Sequence, residues 1–104
     1  MTKTANPVRG EAEMSIGGIT FILRPTFDAL VAAEQELGSL FALVERASEG
    51  GLKLAEITGL LWHCLPENDR PTRERVGEAV LTLGLVEAAA PVRMILAQVL
   101  QGRQ

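Results

Sequence analysis

The chain has no tyrosine, three phenylalanines and one tryptophan in 104 residues. With so few aromatics, its core must be aliphatic. A single cysteine excludes an internal disulfide and suits a reducing compartment. No apolar stretch is long. Even Val92–Leu100 is broken by Arg93 and Gln98, far short of the ~20 residues a bilayer requires. The start, Met1-Thr-Lys-Thr-Ala-Asn6, lacks the apolar segment of a secretory signal, so the protein is expected to stay where it is made, in the cytoplasm. Excess positive charge is missing too: ten Lys and Arg against thirteen Asp and Glu leave a net charge of −3. Such a surface repels phosphate backbones and anionic lipid, so neither nucleic acid nor membrane is the expected partner.

What is present is a globular composition, 47% hydrophobic and 22% charged. At this length one domain buries roughly 65% of the surface its unfolded chain exposes, enough to fold alone. Residues 1–10 carry Asn6-Pro7 and Gly10 without periodicity and are expected to be a flexible lead-in, with residues 11–104 forming one domain.

The hydrophobic period switches near Pro25. Before it, strict alternation runs through Gly17-Gly18. A two-residue turn there pairs Ile16 with Ile19, Met14 with Phe21 and Ala12 with Leu23 on one face, and Ser15 with Thr20 and Glu11 with Arg24 on the other. A lone hairpin is marginal in water, so its apolar face must cover helices, or a second copy must complete the sheet at its edge.

After Pro25 the spacing is helical. Thr26 caps a first helix with stripe Phe27, Leu30, Val31 and Leu37, and Gly38 stops it. Ser39 caps a second through Leu40, Phe41 and Val44, ending at Gly50-Gly51. A third, about Leu54 to Leu65, turns Leu54, Ile57, Leu61 and Cys64 inward, with Leu60 and Trp62 widening the face. Thr72 caps a fourth bearing Val76, Val80 and Leu83, closed by Gly84. Gly77 within it is expected to allow a close helix crossing. The last runs from about Val86 to Gln101, with Pro91 near its start or bending it. The expected fold class is α+β, mostly α: an N-terminal two-stranded hairpin packed on about five short helices.

No constellation of reactive residues emerges. His63 and Cys64 are helix neighbours pointing about 100° apart and cannot form a nucleophile–base pair with each other. Pro66 separates His63 from Glu67, so zinc lacks a ligand set. Most carboxylates fall on polar faces. Glu34 lies in phase with the first helix's apolar stripe, where it belongs at the edge with an Arg or backbone partner. The glycines form no phosphate loop. Arg70, Arg73 and Arg75 could meet an acidic partner or DNA, but Glu67, Asp69, Glu74 and Glu78 dilute them. An enzyme is not expected, nor a metal or cofactor.

The last helix stands out because Val92, Met94, Ile95, Leu96, Val99 and Leu100 cover much of its circumference. Burial between helices is the commoner cause of such a pattern. A partner-binding surface at Val92, Ile95, Leu96, Val99 and Leu100 is the competing reading.

Several segments in order, Ala5-Asn-Pro-Val-Arg-Gly-Glu11, Arg24-Pro-Thr-Phe-Asp-Ala-Leu30 with Glu34 and Leu37-Gly38, Leu60-Leu-Trp62, and Val76-Gly-Glu-Ala-Val80 with Leu83-Gly-Leu85, resemble the gene-transfer-agent tail-assembly family. Its members have been labelled both tail tube protein and tail assembly chaperone. The resemblance implies a non-catalytic assembly chaperone that binds the tape-measure protein. The alternative is a structural tail tube component retained in the particle, and a small helical DNA-binding regulator comes third. Tube subunits are typically β-rich, which at this level favours the chaperone.

Overall fold

The computed structural model describes residues 11–102, and the lead-in expected over residues 1–10 lies outside them. In order the elements are β1 (Ala12–Ile16), β2 (Ile19–Leu23), α1 (Phe27–Leu37), α2 (Leu40–Ser48), α3 (Leu54–Cys64), α4 (Arg73–Leu83) and α5 (Leu85–Gln101). The fold is α+β, mostly α, as expected: an antiparallel hairpin followed by five helices.

The hairpin register is the expected one, with Ala12 opposite Leu23, Met14 opposite Phe21 and Ile16 opposite Ile19. Gly17 and Gly18 take φ of 59° and 82°, the positive values this turn needs and side chains resist. Glu11 and Arg24 form the expected pair at 3.2 Å. One side chain departs from the expected apolar face: Ile19 at the tip is 61% exposed, whereas Ile16 opposite it is buried, because α4 and α5 pack mainly against β1. On the other face Ile22 is buried, apart from the main core cluster.

α3 is the hub, packing against α1, α4 and α5. Its Ile57, Leu60, Leu61 and Cys64 are buried with Leu23, Leu43, Val76, Val80 and Ile95 around them. Each such side chain contributes about 1.5–3 kcal/mol of burial. Short polar side chains start three of the surrounding helices: Thr26 accepts from the Ala29 amide, Ser39 from Ala42 and Thr72 from Arg75. Glu34 sits at the edge of α1, and its carboxylate accepts the Leu40 amide at 3.0 Å, so it serves as a cap of α2. At the start of α3, Glu56 accepts the Lys53 amide and pairs with Arg46 of α2.

Several expected inward residues face out. Phe27 is 79% exposed and Val31 is also exposed, since α1 meets α3 along the narrower line of Leu30, Ala33 and Leu37. Phe41 faces out because Leu43 is the buried centre of α2, and Leu54 and Leu83 stand beyond the reach of neighbouring helices. Gly77 is not the close crossing either. A Cβ there would meet Thr58 at an ordinary 3.8 Å, whereas a Cβ on Gly59 would come within 3.1 Å of Leu37. The tight contact is therefore α1 against α3. Pro91 lies inside α5, leaving the Glu87 carbonyl without its helical donor.

Candidate interaction surface

The polar junction of α1, α3 and α4 is built around Trp62. Its indole N–H donates to the Pro71 carbonyl at 3.0 Å, and the Arg70 and Arg73 guanidiniums lie 4.3 and 4.4 Å from its ring centroid. Arg70 also donates to the Leu65 carbonyl. Arg73 grips both carboxylate oxygens of Glu36. The His63 Nε2 lies 2.8 Å from the same carboxylate, and an ionised carboxylate only accepts, so that nitrogen carries the proton. Hydrogen bonding by Arg73, then by His63, lowers the Glu36 pKa to about 2. Two of the three arginines that might have met phosphate are thus engaged within the chain, and only Arg75, beside Gly17, stands apart.

His63 is held on Glu36, while Cys64 is buried in the core. Burial pushes the Cys64 thiol up to about 12, far from a nucleophile's range. Among the described residues no group of His, Cys, Asp and Glu could hold a metal ion. No single helix among them is long and apolar enough to cross a membrane.

The last helix resolves into two faces. Val92, Ile95 and Leu96 are buried in the core together with Ala88, so their apolar character serves folding. Val99 is half-buried and Leu100 is 52% exposed, which leaves these two of the five candidate contact residues open to a partner. The larger exposed apolar surface lies at the other end of α5. There α4 turns into α5 at 115°, and Leu81, Leu83, Leu85 and Val86 all face out around Gly84. Gly84 holds φ at 96°, which ends α4 sharply and sets Leu81 and Leu83 on one side of the corner, Leu85 and Val86 on the other.

Two hollows flank this corner. One, between the hairpin tip and α4, is lined by Ile16, Gly17, Ala79, Thr82 and Leu83, with Glu74 and Glu78 among its charged residues. The other is a pocket of about 230 Å³ formed by Ala47, Gly50, Leu52, Ile57, Leu85, Val86, Ala89 and Arg93. Arg93 is its one charged lining residue and has no ion pair among the described residues. Sequence periodicity had no means to find this pocket, because its walls come from α2, α3 and α5 and from the loop before α3.

Fold and surface together define a small, mostly helical domain whose distinctive feature, among the described residues, is exposed apolar area. The family described as "Phage tail tube protein, GTA-gp10" matches residues 9–102, and the chain belongs to it. Neither the curated proteins nor the solved structures gave a match. Membership puts the chain among the tail proteins of phages and gene transfer agents, a structural family. The description is that of a tube protein, so it favours the structural alternative over the chaperone first expected from the sequence.

Proposed function

We propose that the chain is a non-catalytic structural component of the tail, retained in the particle through protein–protein contacts. The observation that carries this reading is the match of residues 9–102 to a tail tube family. The apolar corner at Leu81, Leu83, Leu85 and Val86 supplies surface that a lone domain would not benefit from exposing. Quantitative mass spectrometry of purified particles tests it. Many copies per particle are expected, and absence from washed particles overturns it.

The chaperone reading is kept because one observation favours it: among the described residues the sheet is a single hairpin, which provides little β-framework for a tube wall. On that reading the exposed apolar residues shield helical faces of the tape-measure protein by helix-in-groove packing until tube subunits displace them. Co-expression then makes the tape measure soluble and co-eluting, and the chain stays in the host cytoplasm rather than in particles.

A further inference from the structure

We infer that copies of this chain bind one another head to tail, the start of α1 in one copy entering the pocket beside Arg93 in the next. The pocket's volume, about 230 Å³, falls below the roughly 300–1,000 Å³ of small-molecule sites and matches one large side chain. Its lining is apolar except for the Arg93 cation, so the fitting occupant is an apolar side chain with a carboxylate next to it.

The chain's own surface contains that combination. Of the large apolar side chains exposed among the described residues, two are followed directly by a carboxylate: Phe27 by Asp28, and Val86 by Glu87. Val86 is a wall of the pocket itself, which leaves Phe27-Asp28. Phe27, at 79% exposed, is the most exposed aromatic side chain among them, and Val31 one turn later extends the same ridge. Phe41, the other exposed phenylalanine, has Leu40 and Ala42 beside it and no adjacent charge to meet Arg93. Asp28 makes no ion pair among the described residues, so its carboxylate is free to meet the cation.

Ridge and pocket are different surfaces, so a pair of copies still has one unfilled ridge, on one copy, and one unfilled pocket, on the other. Such a heterologous contact closes into a ring or continues as a filament. The inference deepens the tail-component reading and rests on it for the expectation that many copies meet.

The test uses the full chain in sedimentation velocity over a concentration series. The wild type is expected to form a ladder of oligomers. Phe27→Ser, which disables the ridge, and Arg93→Glu, which disables the pocket, each weaken self-association at least tenfold. Mixed together, the two variants combine through their remaining good surfaces and stop at a 1:1 pair. The exchange Asp28→Arg with Arg93→Asp in one chain restores the ladder. Circular dichroism identifies any variant that fails to fold, and Phe27→Leu with Arg93→Gln then replaces it. A wild type that stays monomeric at its highest soluble concentration overturns the inference, as does self-association indifferent to both surfaces or a mixture that fails to pair. Particle copy number is independent of these results: many copies in particles with no pairing in the mixture removes the contact and leaves the tail reading standing.

Discussion

The two ends of α4 are built in opposite ways. At its start Arg73 reaches across to Glu36 and lies over Trp62, tying α4 to α1 and α3 through polar groups that satisfy one another. At its end Leu81 and Leu83 point into solvent and continue into Leu85 and Val86 of α5. The first arrangement specifies how this chain closes on itself. The second leaves apolar surface unspent, and on the proposed tail-component reading such surface is where other subunits dock.

The contrast can be broken most forcefully at Trp62. Trp62→Ala removes the aromatic packing, the hydrogen bond to Pro71 and the support for two guanidiniums, and is expected to destabilise by about 3 kcal/mol in urea unfolding. The helical glycines sharpen it next. Gly77→Ala adds a Cβ at ordinary contact distance and is expected to stabilise by up to about 1 kcal/mol, the usual helix-propensity gain. Gly59→Ala gains nothing comparable because Leu37 must give way, and Gly59→Val is destabilising; thermal melts of the three glycine variants beside the wild type check this order.

Acid titration gives a smaller effect. The Glu36 pKa lies at about 2 against an ordinary 4.5, so its pairing stabilises the fold above the ordinary value and is lost as pH falls from there toward 2. The pair is 38–42% exposed, which limits the contribution to about 0.2–1 kcal/mol, and Glu36→Gln should flatten the stability profile in that window. Last comes the corner. Val86→Ser is expected to change folding stability by less than about 0.5 kcal/mol while weakening association with other tail proteins, and unchanged association would show the corner to be inert.

Much of the fold was legible in the sequence for local reasons. A Gly-Gly turn between alternating residues permits one register, and Thr26, Ser39 and Thr72 each lie just before an apolar helical pattern, so hairpin and helix starts followed directly. Which side of each helix is buried was less legible. Phe27, Val31, Phe41 and Leu83 have the right spacing for a core, but spacing says nothing about whether a neighbour stands opposite. The Trp62 junction was hidden for a related reason: Glu36 and Arg73 are 37 positions apart, and the packing of both α1 and α4 on α3 brings them together. In α5 the excess of apolar residues was plain, while its division into a core face and an open end required the 115° turn at Gly84.

The burial of Cys64 in the hub helix has a kinetic consequence. Its sulfur reacts with an alkylating reagent only during the moments when α3 parts from its neighbours, so the labelling rate counts those openings. The domain therefore carries its own clock for the persistence of the core. Read in the free protein and again in an assembled tail, that clock would time how far incorporation slows the breathing of the subunit.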